Sequence, residues 1–217
     1  MIPPAQPARV IPFNRPWLQG AHEALRASID SGHISGDKTF TARCREFLGQ
    51  ALASTTVLLT TSCTHALEMA ALLLDLKPGD EVIVPSFTFV STVNAFVLHG
   101  ASPVFIDIRP DTLNLDERLL PELLSPRTRA IVPVHYNGVG CEMDVILRLA
   151  AEAGAAVVED NAHGLFGRYR DRWLGTMGPL GALSFHETKV FTCGEGGALQ
   201  IGRAACRERV EISGVGG

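Results

Sequence analysis

Two polar residues that follow apolar runs, Lys189 and Asp160, are well suited to covalent chemistry with a carbonyl compound. Lys189 closes the run Ser184–Lys189 and is followed by the glycine-rich stretch Gly194–Gly197, and Asp160 ends the run that starts at Val157. A lysine amine attacks carbonyls when burial or a nearby cation lowers its pKa. A carboxylate pairs with a protonated ring nitrogen and keeps that ring an electron sink. The two residues together suggest a Schiff-base enzyme that holds an aldehyde cofactor.

Each of these residues also has a plainer interpretation. A lysine after a strand is often an ordinary surface residue, and the hexapeptide alone leaves both interpretations open. Aspartate is a preferred helix cap, so Asp160 taken alone is better explained as the cap of the turn Asn161–Gly164. The chemical interpretation therefore depends on what else surrounds the same site.

A candidate phosphate-binding segment, Thr60–Ala66, follows one predicted strand and opens an apolar helix. Free backbone N–H groups and the helix dipole attract phosphate at such a point, and the hydroxyls of Ser62 and Thr64 could add hydrogen bonds. Serine and threonine are also good N-caps without any ligand. The segment is not a glycine-rich Walker loop and has no lysine, so it does not match the known nucleotide-binding motif.

Aromatic and imidazole side chains supply the remaining candidates. The segment Pro85–Thr92 joins a strand end to a helix start, where an aromatic ring could stack on a flat heteroaromatic ring. Core packing is the favoured explanation of its phenylalanines when they are taken alone. His163 and His186, near the acid and the lysine, could shuttle protons or contact a ring, although a satisfied buried histidine is the default. The spacing of His, Cys, Asp and Glu predicts no metal site.

Composition limits the class of protein. The chain has 217 residues, 46% hydrophobic and 19% charged, with a net charge of -4. These values indicate a globular protein without the basic surface that nucleic acid or anionic lipid needs. The five cysteines form no C-x-x-C pair, the N-terminus lacks the pattern of a signal peptide, and no apolar stretch is long enough to span a membrane. We therefore expect reduced thiols and a cytoplasmic location.

The elements that must position these residues alternate between short apolar strands and helical patterns. This alternation predicts an α/β fold, a mostly parallel sheet of seven strands with helices on both faces. The predicted strands are Thr56–Thr60, Glu81–Pro85, Pro103–Asp107, Ala130–His135, Ala155–Asp160, Ala182–His186 and Gly197–Ile201. The predicted helices are Leu18–Ser31, Lys38–Ala53, Thr64–Leu76, Thr88–His99, Asp116–Leu124 and Met143–Ala153.

No linker-like boundary divides the chain, which predicts a single domain over residues 1–217. Near the end, Arg203–Ile212 resembles the start of a helix, and the sequence then stops at Gly217. We therefore expect this chain to be a fragment of a longer protein.

The joint order of these features is more specific than any one of them. A helix start of the phosphate-binding type, an aromatic strand end, an aspartate strand end and a Ser-x-x-x-x-Lys follow each other along one α/β sheet. A pyridoxal-phosphate site of the aspartate-aminotransferase fold requires this order. The chain closely resembles the DegT/DnrJ/EryC1/StrS family of sugar-nucleotide aminotransferases, of fold type I. The matching stretches are Val82–Thr92, Ala130–His135, Val157–Gly164, Ser184–Lys189 and Gly194–Gly197.

Within that family the chain looks most like the transaminases that make dTDP-4-amino-4,6-dideoxygalactose. The stretches that carry this likeness are Gly36-Asp37, Phe40–Cys44, Ser62–Thr64, Leu67–Leu74 and Phe185–Lys189. The resemblance implies amination of a dTDP-linked 4-keto-6-deoxyhexose with glutamate as the amino donor. The product would enter the biosynthesis of a surface polysaccharide of the enterobacterial common antigen or O-antigen type.

The resemblance also implies roles for individual residues. Lys189 is the expected catalytic residue, holding the pyridoxal 5′-phosphate and shuttling the proton between its C4′ and the substrate carbon. Asp160 is expected at the pyridine nitrogen, and His163 at the cofactor's ring oxygen, where the family often has glutamine. The remaining expected cofactor contacts are ring stacking by Phe89 and phosphate binding by Thr64, the backbone N–H of His65, and Ser184.

The sequence departs from the family pattern in two ways. Val190 follows the lysine, where the family commonly has asparagine. Family members are also far longer: they have a C-terminal small domain, which we expect this chain to lack, and form homodimers in which the partner contributes to the pocket. Two alternative functions remain open. The first is a sugar 3-dehydratase on the same scaffold, which Lys189 disfavours because those relatives replace the lysine with histidine. The second is a truncated product without catalytic activity.

Overall fold

The computed structural model describes residues 12, 14–54 and 56–202. In this part of the chain the helices are α1 (Ala21–Asp30), α2 (Thr39–Ala51), α3 (Cys63–Leu73), α4 (Val90–Val97), α5 (Leu120–Leu123) and α6 (Met143–Ala153), with short 3-10 turns at Glu117–Leu119 and Tyr136–Gly138. The strands are β1 (Thr56–Thr60), β2 (Glu81–Pro85), β3 (Ser102–Ile106), β4 (Thr128–Ile131), β5 (Ala156–Asn161), β6 (Arg168–Tyr169), β7 (Arg172–Trp173), β8 (Leu180–Ser184) and β9 (Gly197–Ile201).

Seven strands form one sheet in the order β1-β9-β8-β5-β4-β2-β3. The pairs from β8 to β3 are parallel, whereas β9 is antiparallel to both β8 and β1. The predicted seven-stranded, mostly parallel sheet is confirmed. Because most strands run in one direction, the segments after β2, β5 and β8 emerge at the same edge of the sheet, where ligands bind in such folds.

Helices cover both faces of the sheet, as the continuously apolar strands predict. Alternate residues of β2 show this: Val82 and Val84 pack in the core layer of α3 and α4, whereas Ile83 packs in the layer of α5 and α6. A third cluster joins α2 to β1, through Leu48 and Val57. The sheet is therefore held from both sides, and its carboxyl edge is a rigid support for the loops that follow.

Element ends differ from the sequence-based prediction where proline or a local turn intervenes. The predicted strand Ala130–His135 pairs continuously only to Ile131, because Pro133 has no N–H for the ladder; Val134 then pairs with Asp160 by a single bridge. The predicted helix Asp116–Leu124 is a 3-10 turn followed by the short α5. The other helices and strands differ from their predicted bounds by three residues or fewer at either end, and three strands and α6 match them at both ends.

The hairpin formed by β6 and β7 was not predicted from the sequence. Its two strands are only two residues long, which is too short for an alternating pattern to appear. Within the described residues no helix is long and apolar enough to cross a membrane. The predicted helix start at Arg203–Ile212, and Cys206, lie outside the described residues.

Candidate active site

A cleft of about 530 Å³ lies at the carboxyl edge of the sheet. It collects side chains from segments that are far apart in the sequence, as expected for a parallel sheet. Among its lining residues are six of the seven predicted site residues: Thr64, Phe89, Asp160, His163, Ser184 and Lys189. The seventh, His65, is exposed and is not among the residues that line the cleft.

Asp160 is buried, with 4% of its surface exposed, at the end of β5. Its two carboxylate oxygens have different partners. Oδ1 accepts a 3.1 Å hydrogen bond from the N–H of Ala162, and Oδ2 accepts one of 2.7 Å from the hydroxyl of Thr92. The Thr88 hydroxyl donates in turn to Thr92. The turn-capping interpretation of Asp160 therefore accounts for one oxygen, and the other is held at the cleft by α4.

The start of α3 follows β1, which lies on the other side of β5 from β2 in the order of the strands. Ser62 is the N-cap of this helix, and its Oγ accepts the N–H of His65 at 3.2 Å. That N–H, predicted to bind phosphate, is used here as part of the cap, and the imidazole of His65 contacts the hydroxyl of Thr61. The N–H groups of the first helical turn have no acceptor within the helix itself and point outward from it. Together with the Thr64 and Ser184 hydroxyls they form a donor-rich corner.

Gly197 lets β9 lie directly against the start of α3 at this corner. A Cβ on Gly197 would lie 2.6 Å from the backbone nitrogen of Cys63, a separation that real Cβ atoms do not show. The residue is paired with both Thr60 of β1 and Ser184 of β8. Only glycine lets β9 pass this close to the start of α3, so the predicted glycine-rich stretch has a steric role here.

Aromatic rings surround the opening of the cleft. Phe89 is 74% exposed and Phe87 is 44% exposed, so the core-packing interpretation of these residues is wrong. Phe87 packs edge-on against Tyr136 with centroids 5.1 Å apart, and Tyr136 packs similarly against His163 at 5.6 Å.

His163 is also exposed rather than a buried core histidine. Partial burial and the cation of Lys189 lower the pKa of His163, and Asp160 opposes this shift.

Lys189 lies on the loop after β8, partly buried and with its backbone N–H bonded to the carbonyl of His186. The neighbouring imidazole of His186 contacts the hydroxyl of Thr188 at 2.8 Å and pairs with Glu195 at 3.3 Å. His186 is only half-buried at the cleft, so the default of a fully buried histidine is wrong for it, although both of its ring nitrogens have partners. The loop thus places a partly buried lysine in the lining of the cleft, rather than a fully exposed surface amine.

Among the described residues that line the cleft, the one cysteine is not a strong nucleophile beside Lys189. Cys63 lines the cleft, but burial and the nearby carboxylate of Asp160 raise its pKa well above the usual range, against the opposing effect of Lys189. Such a cysteine is a neutral thiol near neutral pH. The chain has three lysines, and the other two, Lys38 and Lys77, are exposed. Among the described residues no His, Cys, Asp and Glu cluster is arranged to hold a metal ion.

Behind the cleft, Glu159 anchors the strand that carries Asp160. Its carboxylate is fully buried and accepts four hydrogen bonds, from Nε2 of His135 and from the backbone N–H groups of Gly175, Met177 and Gly178, at 2.5–2.8 Å. A buried carboxylate is tolerated only when its lone pairs are satisfied in this way. The network ties β5 to the segment that follows β4 and to the turn that leads into β8.

Sequence reasoning missed Thr92, Tyr136 and Glu159. Thr92 was seen only as part of an aromatic strand-end segment, and Glu159 only as a neighbour of Asp160. Their partners lie 68 and 24 residues away, at Asp160 and His135, so no local spacing could reveal them. The one available signal was the pair of adjacent acids in an otherwise apolar run, since consecutive strand residues face opposite sides of a sheet.

The family model described as the DegT/DnrJ/EryC1/StrS aminotransferase family matches residues 19–212. The chain belongs to this family. The Bacillus subtilis (strain 168) spore coat polysaccharide biosynthesis protein SpsC is 37% identical to it over 204 residues, which are 93% of this chain and 52% of SpsC. The family assignment confirms the resemblance inferred from the sequence motifs.

Solved structures of aminotransferases have the same fold. The Streptococcus pneumoniae protein Spr1654, in its PLP form, superposes with a TM-score of 0.82 at 28% identity, covering 90% of this chain and 54% of Spr1654. Helicobacter pylori PseC, an aminotransferase involved in the biosynthesis of pseudoaminic acid, gives 0.82 at 26% identity, covering 92% of this chain and 54% of PseC. The fold is therefore that of the fold type I aminotransferases, and pyridoxal 5′-phosphate is the cofactor of the family. The chain spans about half the length of these relatives.

Proposed function

We propose that this chain carries the cofactor site of a pyridoxal-phosphate-dependent sugar-nucleotide aminotransferase. The observation that carries the proposal is the convergence of Lys189, Asp160 and the start of α3 on one cleft. An amine, a buried carboxylate and a donor-rich helix start are the groups that an aldehyde, a ring nitrogen and a phosphate require. Membership of an aminotransferase family supports the same conclusion.

The residues of the cleft fit this cofactor in size and chemistry. The cleft volume of about 530 Å³ lies within the range of small-molecule sites. Asp160 is buried, and its Oδ2 accepts one hydrogen bond, from the hydroxyl of Thr92, which leaves lone-pair capacity for a further donor. The corner next to Gly197 is too narrow for an added side chain but exposes N–H and hydroxyl donors, as an anion needs.

When bound, the cofactor supplies an aldehyde for the lysine amine and a ring that withdraws electrons from the substrate carbon. Asp160 would keep the proton on the ring nitrogen. Thr64, Ser184 and the first turn of α3 would bind the phosphate, and Phe89 would cover one face of the ring. Nζ of Lys189 would move the proton between the C4′ position and the substrate carbon. His163 would donate a hydrogen bond to the ring oxygen.

The proposed substrates are a dTDP-linked 4-keto-6-deoxyhexose and glutamate as the amino donor. The motif likeness in segments such as Phe185–Lys189 supports this choice of sugar. The relatives are named for polysaccharide biosynthesis, in SpsC, and for pseudoaminic acid biosynthesis, in PseC. The reaction would take place in the cytoplasm and would feed a surface polysaccharide of the common-antigen or O-antigen type.

We further propose that residues 1–217 correspond to the single cofactor-binding large domain, the N-terminal portion of a longer homodimeric aminotransferase. The relatives are about twice as long as the part they share with this chain. Large apolar side chains on and near α1 are also exposed, including Trp17 at 78%, Leu25 at 62% and Ile29 at 67%. Exposed apolar surface of this kind is expected where another subunit or domain packs.

Incubation of the 217-residue chain with pyridoxal 5′-phosphate, glutamate and the dTDP-4-keto sugar tests the whole proposal. Cofactor uptake is measured by visible absorbance, and amination of the sugar by mass spectrometry. Uptake with product supports the full function. Uptake without product supports the cofactor site and favours a catalytically silent chain, and a deoxygenated sugar would indicate a dehydratase. Absence of uptake would contradict the proposed site.

A further inference from the structure

The side chain of His163 is held by a turn that belongs to a different part of the chain. The backbone N–H of Asn137 donates a 3.2 Å hydrogen bond to Nδ1 of His163, and the ring of Tyr136 packs edge-on against the imidazole. Both contacts come from the 3-10 turn Tyr136–Gly138 that follows β4. Because a backbone N–H can only donate, Nδ1 must be the unprotonated acceptor, which leaves the proton on Nε2.

The turn is itself held by hydrogen bonds with the buried side chain of Asn114. Asn114 is 2% exposed and uses both ends of its amide: Oδ1 accepts the N–H of Tyr136 at 3.0 Å, and Nδ2 donates to the carbonyl of Val139 at 3.0 Å. These two bonds bracket Asn137, whose φ of 51° lies in the left-handed region that asparagine tolerates better than most residues. The direction of the Asn137 N–H is therefore set by a residue 23 positions earlier in the sequence.

We propose that Asn114 is a positioning residue that, through the turn 136–139, holds His163 as the neutral Nε2–H tautomer with its donor free for a ligand in the cleft. Three observations carry this assignment: the bracketing of the turn by Asn114, the donor at Nδ1, and the place of His163 among the cleft residues. A use for that donor at the cofactor rests on the proposed function, whereas the tautomer itself does not.

The charges around His163 favour the same protonation state. Lys189, on the loop after β8, and partial burial both lower the pKa of the imidazole, whereas Asp160 at the end of β5 raises it. Tyr136 is the titratable group that faces the ring from the turn. Protonation at Nδ1 would also place two N–H donors against each other, which removes the hydrogen bond to Asn137. The site thus offers a hydrogen-bond donor whose pKa is shifted toward the neutral form of the ring.

Nitrogen-15 NMR of the uniformly labelled, cofactor-free chain tests the assignment directly, with the His163 ring signal identified by its loss in His163→Gln. The expected result is one neutral form with the proton on Nε2, a titration midpoint below that of an ordinary histidine, and slow hydrogen exchange of the Asn137 amide. In Asn114→Ala, we expect a mixture of tautomers, a higher midpoint and faster exchange. Asn137→Gly is the matched control, because glycine keeps the N–H and tolerates the left-handed φ.

An Nδ1–H form of His163 in the wild-type chain, or a wild-type signal that is unchanged in a folded Asn114→Ala variant, would overturn the assignment. If Asn114→Ala does not fold, Asn114→Asp keeps the acceptor oxygen and replaces the donor to Val139 by a second, negatively charged oxygen, and we expect the same shift toward mixed tautomers. In cofactor titrations we expect Asn114→Ala to weaken binding about threefold to tenfold, the effect of one hydrogen bond. Wild-type protein with the predicted tautomer but no cofactor binding would refute the proposed function and leave the tautomer assignment intact.

Discussion

The hydroxyl of Thr92 donates a 2.7 Å hydrogen bond to Oδ2 of Asp160, and it joins α4 to the end of β5 across 68 residues of sequence. Both residues are buried, with 1% and 4% of their surfaces exposed. Hydrogen bonds to a buried carboxylate are stronger than those between neutral groups. This contact therefore fixes the orientation of the carboxylate that we place at the cofactor ring.

Replacing Thr92 by the isosteric valine removes this donor and keeps the packing volume. We expect the free energy of unfolding to fall by about 1.5–3 kcal/mol, since the carboxylate loses a charge-assisted hydrogen bond. Urea denaturation measures the change. Thr92→Ser, which keeps the hydroxyl, is the control and should retain most of the stability of that contact. Equal stability of the valine variant and the wild type would show that the bond does not hold Asp160.

Gly197→Ala tests the close approach of β9 to the start of α3. The added methyl group would overlap the backbone at Ser62 and Cys63, so the strand or the helix must shift. Overpacking of this kind costs about 1–3 kcal/mol and should also weaken phosphate binding at the helix start. Thermal denaturation and titration with pyridoxal 5′-phosphate measure the two effects. Gly36→Ala, where nothing lies within 4 Å of the added Cβ, should change neither.

Glu159→Ala leaves four buried donors without their acceptor. We expect a loss of about 3–5 kcal/mol in the free energy of unfolding, the range for breaking a buried ionic network by removing one partner. The matched control is Glu152→Ala, because Glu152 forms an exposed pair with Arg148 and should contribute less than about 1 kcal/mol. Similar values for the two variants in urea denaturation would mean that the Glu159 network does not anchor β5.

The lowered pKa of His163 predicts a pH dependence of stability. Because the folded state binds the proton less readily than the unfolded state, the unfolded state carries more protons between the two pKa values. The contribution of His163 to the free energy of unfolding is therefore complete above the ordinary histidine pKa of about 6.5. It is lost as the pH falls toward the pKa of His163 in the folded state. The difference in unfolding free energy between the wild type and His163→Gln should therefore decrease as the pH is lowered from about 6.5. A flat difference between pH 5 and 8 would contradict the prediction.

Much of the fold could be predicted from the sequence, because its signals are local. Helix α6 matches its predicted bounds, since its apolar residues recur at the helical period and Gly154, with a φ of 67°, ends it. Strand β2 also matches, because an uninterrupted apolar run predicts a strand covered on both faces. Strand β4 was predicted too long, because the effect of Pro133 on its ladder was not considered.

The site was predictable only in part. Lys189 and Asp160 stand at strand ends that the topology brings to one edge, so a sequence pattern could place them together. The bonds of Thr92 to Asp160 and of Asn114 to the turn after β4 depend on which elements become neighbours in the folded chain. The exposure of Phe87 and Phe89 depends on the shape of the cleft, and their apolar character alone pointed to the core.

The function proposed above depends on Lys189 as the amine that holds the cofactor aldehyde. Reduction of the chain with borohydride in the presence of pyridoxal 5′-phosphate, followed by peptide mass mapping, tests it most directly. Only three lysines compete, so Lys38→Ala and Lys77→Ala are complete controls for the side-chain amines. We predict one reduced cofactor adduct on the peptide that contains Lys189, retained in both controls and absent from Lys189→Ala. An adduct that persists at equal yield in Lys189→Ala, or that maps mainly to Lys38 or Lys77, would contradict this account.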